Sequence, residues 1–302
     1  MHVPIPVDDV RAALPAWGIE PRHAKFAELP RGATAEVWKV ECEQGRFVAK
    51  YAYDDRDHFE NGLRAAEVAL QAGLHSAAPL RTNDGDMTVM LEWPAGHWHP
   101  LALLHWVDGT VFQGEEPEDI AEFARIHGTL QSALAREIPV NPAADPFSYL
   151  DYLGSGITDG DTGALPALVE TIASEARWFQ ESTPMTVANA VWDGPETLID
   201  KQGRIGLIDF GYCRPMPVLH AMANRSLRFG LEENEKTRQF VDLYLKHFPL
   251  TETELAGVPL FRKVSLAIYC KYQAGRLADG GLGEAKRARL RAYLDAHLPL
   301  LA

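Results

Sequence analysis

The sequence has few cysteines and no long apolar run. Its three cysteines, Cys42, Cys213 and Cys270, lie far apart, are odd in number and match no spacing typical of a metal site or a disulfide framework. We therefore expect reduced, buried thiols in a cytoplasmic protein. No window approaches about 18 uncharged apolar residues, so the sequence predicts no membrane-spanning helix. The N-terminus has neither a basic region nor an apolar run, so a signal peptide is not expected.

Positive charge is also scarce, because 29 Lys and Arg face 42 Asp and Glu, for a net charge of −13. This balance argues against nucleic-acid and anionic-membrane partners, which require a basic patch. It would tolerate or attract a cationic small-molecule substrate, although plain solubility is the simpler interpretation. The composition, 46% hydrophobic and 24% charged, is that of an ordinary soluble globular protein. The oligomeric state is open.

With 302 residues, the chain can form one large or two modest domains. Its first part is rich in strands around one helix at 58–72, and from Pro117 onward helices dominate. We therefore predict an α+β protein of two lobes. Residues 1–107 form a small antiparallel-sheet lobe with one helix, and residues 108–302 form a larger, mainly helical lobe that carries one β-hairpin. The predicted strands are at 24–29, 36–42, 46–51, 87–91 and 101–107.

The embedded hairpin is the strongest local feature. Two short apolar runs, 197–199 and 205–208, flank a Lys-Gln-Gly turn, which predicts a tight β-hairpin. The second run leads directly into Asp209-Phe210-Gly211. A carboxylate at a strand end, followed by glycine, is well placed to hold a cation over a cleft.

Lys50 lies in an otherwise apolar predicted strand, after Val48 and Ala49. If this lysine points inward, it needs an anionic partner, because an unpaired buried charge is costly. An outward lysine on an alternating strand is the alternative.

Together these features resemble the aminoglycoside phosphotransferase/choline kinase family, which has the protein-kinase-like fold. The resemblance covers nearly the whole chain and depends on the order and spacing of several segments, none of which is specific alone. These segments are Gly32 to Val40, Val48-Ala49-Lys50, the acidic helix at 60–67, Leu103 to Gly109, Ile126-His127 and Leu207 to Gly211.

The resemblance implies roles for the first lobe in binding ATP. Gly32 would lie in the small-residue turn near the nucleotide phosphates, although an ordinary hairpin turn explains it as well. Lys50 would hold the α- and β-phosphates and pair with a helix glutamate. Glu60 and Glu67, seven residues apart, are the candidates, and we favour Glu60 for its position in the helix.

The resemblance also implies an adenine site and a metal site. Trp106 and Val107 would form the hinge, whose backbone hydrogen-bonds adenine in this family. Asp209 would bind the Mg²⁺ ions that bridge the nucleotide phosphates.

The catalytic loop departs from the family's His-Gly-Asp, four residues, Asn pattern. Counting back from Asp209 aligns Asn189-Ala190-Val191 with His-Gly-Asp and Glu196 with the Asn. Val191 then stands where the catalytic Asp is expected, and valine can neither accept a proton nor hydrogen-bond a hydroxyl. Asn189 and Asp193 are the candidate catalytic residues of this loop, with Asp193 as a displaced base, although the register argues against it. Glu196 can ligate Mg²⁺.

A further departure is Ala221-Met222-Ala223, where the family usually has Asp-Leu-Ala. Three hypotheses follow. The chain is an ATP-dependent phosphotransferase acting on a hydroxyl of a small molecule, a catalytically impaired pseudokinase-type nucleotide-binding protein, or a scaffold that binds no nucleotide. Because most phosphoryl-transfer catalysis comes from positioning and charge stabilisation, loss of the base alone does not exclude slow transfer.

Overall fold

The computed structural model describes residues 4–29, 35–53, 56–140, 153, 165–189, 196–211, 213–278 and 283–301. Packing divides the chain into two compact units. The first comprises residues 1–113 with 194–213, and the second comprises 114–193 with 214–302. The lobe boundary at residue 107 stays a prediction. By packing, the first unit continues to residue 113 and also includes the hairpin region.

A five-stranded antiparallel sheet forms the centre of the first unit. Its strands are β1 (Lys25–Glu28), β2 (Ala35–Cys42), β3 (Gly45–Ala52), β5 (Val89–Glu92) and β6 (Trp98–His105). They lie in the order β1-β2-β3-β6-β5. The alternating polar and apolar residues of β2 are typical of a half-buried strand, and β2 pairs with both β1 and β3 to form a meander. The predicted antiparallel small lobe is thus confirmed.

Helices cover both faces of this sheet. On one face, α1 (Val7–Ala13) and the 3₁₀ turn Leu14–Trp17 pack against a core that includes Trp38 and Tyr51. On the other face, α2 (Arg56–Gln71) contributes Phe59 and Leu63, which pack against Ala102 and Leu104. Successive residues of a strand point to opposite faces, so Lys50 shares the α2 face with Val48 and Ala52.

The hairpin lies in a second sheet of the first unit. Its strands are β4 (His75–Ser76), β7 (Thr110–Val111), β9 (Thr197–Ile199) and β10 (Ile205–Leu207), in the order β4-β10-β9-β7. The Asp200 side chain closes the turn by accepting hydrogen bonds from the backbone amides of Gln202, at 2.8 Å, and Arg204, at 2.9 Å. The predicted hairpin is present, and parallel pairing of β10 with β4 explains why it packs with the first unit.

The second unit is mainly helical. Its strands β8 (Met185–Asn189) and β11 (Cys213–Pro217) form a two-stranded sheet. An aromatic cluster of Phe123, Phe229 and Phe240 lies in its core. Its helices are α3 (Pro117–Glu137), α4 (Leu165–Ser182), α5 (His220–Ser226), α6 (Glu235–Tyr244), α7 (Glu252–Ala256), α8 (Val258–Ala278) and α9 (Glu284–His297).

The three cysteines form no disulfide with one another, and Cys213 and Cys270 are buried. Among the described residues, none of the helices has the length and apolar character needed to cross a membrane.

Candidate functional site

The first unit brings Lys50 and Asp209 into direct contact. Lys50 lies on β3, on the face of the sheet that α2 covers, and its side chain is 16% exposed. Its Nζ atom is 3.0 Å from Oδ1 of Asp209, a distance that makes both a hydrogen bond and an ion pair. Lys50 therefore points inward, the first of the two orientations considered from the sequence, and its anionic partner is the acid at the end of the hairpin.

Asp209 has an unusual backbone. Its φ angle of 56° lies in the left-handed region, and among the described residues it is the one non-glycine with a positive φ. Such conformations cost energy and concentrate at functional sites. Partial burial of the half-exposed side chain raises the pKa of Asp209, but the Lys50 charge and hydrogen bond and the Gly211 amide outweigh it and lower the pKa overall. The carboxylate is therefore ionised at neutral pH.

The described residues show Lys50 paired with Asp209 and not with a helix glutamate, so the pairing with Glu60 or Glu67 stays a prediction. The carboxylate of Glu60 accepts hydrogen bonds from Nε of Arg56 at 2.8 Å and from Oγ1 of Thr88 at 2.6 Å. Glu67 accepts one from Nε of Arg81 at 3.0 Å. Each glutamate thus has local partners. Burial raises the pKa of Glu60, but its bonds to Thr88 and Arg56 lower it overall.

Glu196 lies directly across the hairpin from Ile208, one residue before Asp209. Its backbone oxygen accepts a hydrogen bond from the Ile208 amide at 2.8 Å, and the residue is 3% exposed. The fold thus places two acids at the same end of one hairpin. Their side chains differ in exposure, since that of Asp209 is 52% exposed.

The other residues predicted for the site belong to the second unit or lie outside the described residues. Asn189 belongs to the second unit, where it ends β8 and is 5% exposed. Its Oδ1 has no hydrogen-bond partner within the part of the chain that the structure describes. Gly32, Val191 and Asp193 lie outside the described residues. The roles proposed for Asn189 and Asp193 in catalysis therefore stay predictions.

The hinge residues Trp106 and Val107 follow β6 directly. Val107 is 5% exposed and lies against Gly206, where an added Cβ would be 2.4 Å from Cγ1 of the valine. Nε1 of Trp106 donates to Oδ1 of Asp108 at 2.9 Å, and Arg46 also binds that carboxylate with two hydrogen bonds. These contacts fix the segment, whereas adenine recognition by its backbone stays a prediction.

Sequence reasoning missed Gly62. This glycine lies in the middle of α2, and a Cβ placed on it would be 2.7 Å from the carbonyl oxygen of Phe210. A glycine inside an otherwise amphipathic helix is the signal that could have indicated a close backbone approach.

The donor set fits a Mg²⁺-nucleotide complex. Among the described residues, no group of three or more His, Cys, Asp or Glu is arranged to hold a metal ion alone. Mg²⁺ is usually bound by one or two carboxylates together with substrate phosphates and water. An ionised Asp209 and a buried Glu196 at one hairpin end match that requirement, and Lys50 adds a positive charge for phosphate.

No family model matches the sequence, and no curated protein matches it. Solved structures do match. An amicoumacin kinase in complex with AMP-PNP, Ca²⁺ and Ami is 15% identical, with a TM-score of 0.73, and the match covers 96% of this chain and 93% of that one. A microcompartment-associated aminopropanol kinase is 15% identical, with a TM-score of 0.72 and coverage of 98% and 96%.

The choline kinase LicA from Streptococcus pneumoniae is 12% identical, with a TM-score of 0.60 and coverage of 91% and 93%. At such low identity these likenesses show the fold. The chain thus has the kinase-like α+β fold found in aminoglycoside phosphotransferases and choline kinases, and the resemblance predicted from the sequence is confirmed at that level.

Proposed function

We propose that this protein is an ATP-dependent phosphotransferase of the aminoglycoside phosphotransferase/choline kinase family, acting in the cytoplasm on a hydroxyl of a small molecule. One observation carries the proposal. Lys50 and Asp209, 159 residues apart in sequence, form an ion pair 3.0 Å long in a fold shared with small-molecule kinases. The pair supports the proposal because it places a cation that can bind phosphate beside a carboxylate that can bind the metal ion of a nucleotide.

The chemistry follows from the charges of these side chains. Lys50 would bind the nucleotide phosphates, and Asp209 and Glu196 would hold Mg²⁺, which when bound neutralises charge on the phosphates. In the reaction the substrate hydroxyl oxygen forms a bond to the γ-phosphorus while the bond to the β–γ bridging oxygen breaks. The hydroxyl proton passes to solvent or to a base, for which Asp193 is the candidate in this chain.

The substrate class is inferred from two observations. The structural neighbours include kinases named for aminopropanol and choline, both small amines or ammonium compounds with a hydroxyl group. The chain carries a net charge of −13, which favours a cationic substrate over an anionic one. We therefore propose a small amino alcohol or an aminated sugar.

The test is incubation of the protein with Mg-ATP and a panel of aminoglycosides, choline, aminopropanol, homoserine and neutral sugars. We expect a phosphorylated product from at least one cationic alcohol, and turnover that Asp209→Ala abolishes. The matched control is Asp84→Ala, which removes an exposed acid of the same unit. Absence of product from every substrate, or turnover that survives Asp209→Ala, contradicts the proposal.

A second function, a catalytically impaired nucleotide-binding protein, is favoured by Val191 in place of the catalytic Asp and by Ala221 downstream. It predicts calorimetric binding of Mg-ATP with no phosphorylated product. Product formation that disappears in Asp193→Ala, with Mg-ATP affinity unchanged, would rule it out in favour of the first.

A further inference from the structure

Gly62 occupies a position in α2 that helix formation alone does not explain. Glycine is the weakest helix former after proline, and the helix Arg56–Gln71 is otherwise made of ordinary helix-forming residues. The helix buries Phe59 and Leu63 on either side of this glycine. The presence of glycine at this position therefore calls for an explanation in how the helix packs.

That reason is a direct backbone contact. A Cβ built on Gly62 would lie 2.7 Å from the carbonyl oxygen of Phe210, 3.2 Å from its carbonyl carbon and 3.5 Å from Cα of Gly211. These are backbone atoms, so no flexible side chain can move aside. An alanine at this position must displace either α2 or the segment 210–211.

The displaced segment is the one that orients Asp209. Asp209 holds its left-handed backbone immediately before Phe210, and its Oδ1 accepts from the Gly211 amide at 3.4 Å and from Lys50 at 3.0 Å. A movement of Phe210 and Gly211 therefore changes the direction of the carboxylate.

A small cavity lies beside this contact. Its volume is about 30 Å³, which is room for one or two water molecules, and it is bordered by Lys50, Gly62, Asp209 and Phe210. Segment 210–211 therefore has space to shift on the side of the cavity, whereas its backbone contact with Gly62 limits movement toward α2.

We propose that Gly62 is a positioning residue for the phosphotransfer site. Because it lacks a side chain, α2 can pack directly against the backbone of Phe210 and Gly211. This contact orients the Asp209 carboxylate toward Lys50 and toward the metal-nucleotide complex. The inference rests on the proposed function for its ligand, Mg-ATP, but not for the Lys50–Asp209 contact itself. The helix thus acts on Asp209 through the backbone contact between Gly62 and Phe210.

The matched pair of variants is Gly62→Ala and Gly275→Ala. Gly275 also lies inside a helix, α8, but a Cβ there meets nothing within 4 Å. We expect calorimetry to show Mg-ATP binding about tenfold weaker in Gly62→Ala, and unchanged in Gly275→Ala. In the Asp209→Asn background, Gly62→Ala should weaken binding no further, because it acts through Asp209.

A second measurement needs no ligand. Urea unfolding gives the effects of Lys50→Met, of Asp209→Asn and of both together on the free energy of unfolding. The coupling between the two substitutions is measured first in the wild-type background and then in the Gly62→Ala background. We expect the two effects to be non-additive in the wild-type background and additive in the Gly62→Ala background. Coupling that survives the Gly62→Ala substitution overturns the inference.

The two measurements separate the two claims. A wild-type protein that binds no Mg-ATP overturns the proposed function, and the Lys50–Asp209 coupling then decides the role of Gly62. If Gly62→Ala does not fold, the coupling is measured in Gly62→Ala/Phe59→Leu against Phe59→Leu alone. The smaller leucine enlarges the cavity that Phe59 lines, which gives the displaced segment 210–211 room without restoring its contact with Gly62. Equal coupling in the two proteins again overturns the inference.

Discussion

Glu196 and Asp209 flank the same hairpin, yet their surroundings differ. Glu196 is 3% exposed, and its backbone is held by the Ile208 amide. The side chain of Asp209 is 52% exposed, its backbone is in the left-handed region, and its carboxylate is bound to Lys50. Glu196 is thus enclosed by the fold, whereas Asp209 is bound to Lys50, a partner that a ligand can replace.

This contrast indicates which acid dominates ligand binding. An exposed, ionised carboxylate can meet a metal-nucleotide complex without first moving, whereas a buried one has to exchange its present surroundings for the metal. We therefore expect Asp209 to control binding and Glu196 to contribute less. The predictions below test that ranking, beginning with the largest expected effect.

Asp209→Asn should reduce turnover by about 100-fold or more, because it removes a charge placed where phosphate charge must be stabilised. The measurement is steady-state kinetics with the best substrate of the panel. Asp84→Asn, which makes the same change at an exposed acid, serves as the control. A loss below about threefold in Asp209→Asn would mean that Glu196 carries the metal instead.

Lowering the pH from 7 to 5 should destabilise the protein through buried histidines of the second unit and not through Asp209. Burial lowers the pKa of His220 to about 4, and burial with the nearby Arg225 and Arg228 charges lowers that of His127. The pKa of such a histidine is lower in the folded protein than its value of about 6.5 in the unfolded chain. As pH falls from the unfolded pKa to the folded pKa, the unfolded chain binds the proton first, so the folded protein loses stability. We expect about 2 kcal/mol of lost stability from His220 between pH 7 and pH 5.

Urea unfolding at both pH values measures this loss, and His220→Leu should flatten the dependence. Asp209 has a lowered pKa, so its contribution is present above its unfolded value near 3.9 and is lost only below that pH. Asp209→Asn should therefore leave the slope between pH 7 and pH 5 unchanged. A slope that depends on Asp209 would contradict the assigned pKa direction.

Glu196→Gln should raise the Mg²⁺ concentration needed for half-maximal nucleotide binding about tenfold, while ATP binding without metal stays the same. The amide keeps the shape of the carboxylate, so the hairpin should survive, which circular dichroism checks. If metal dependence does not change, Glu196 is a structural acid and Asp209 binds the metal without it.

The smallest effect should come from Glu60→Gln. Because Glu60 bonds to Arg56 and Thr88 and not to Lys50, Mg-ATP affinity should change less than about twofold, and stability should fall by about 0.5 kcal/mol. Calorimetry and urea unfolding give the two numbers. A loss of affinity as large as that of Lys50→Met would show that the family-like pair of lysine and glutamate forms in solution.

Periodicity and turn chemistry predicted most of the fold. The strand at 36–42 alternates polar and apolar residues, and the Lys-Gln-Gly turn closes a hairpin that Asp200 stabilises. The sequence also indicated Lys50 and Asp209 as site candidates, and the structure brings their side chains into contact, while their roles in binding stay predictions.

Other features depended on contacts that sequence spacing does not contain. The partners of Glu60 and Glu67 include Thr88 and Arg81, which lie outside the helix that carries the two glutamates. The parallel pairing of β10 with β4, which places the hairpin in the first unit, joins residues more than a hundred positions apart. Neither contact leaves a periodic pattern.

The central claim is that Lys50 and Asp209 form a site for Mg-ATP. Calorimetric titration of the wild type and of Lys50→Ala with Mg-ATP tests it most directly. The account predicts saturable binding by the wild type and at least about tenfold weaker binding by Lys50→Ala. Absence of binding by the wild type, or equal binding by both proteins, would contradict it.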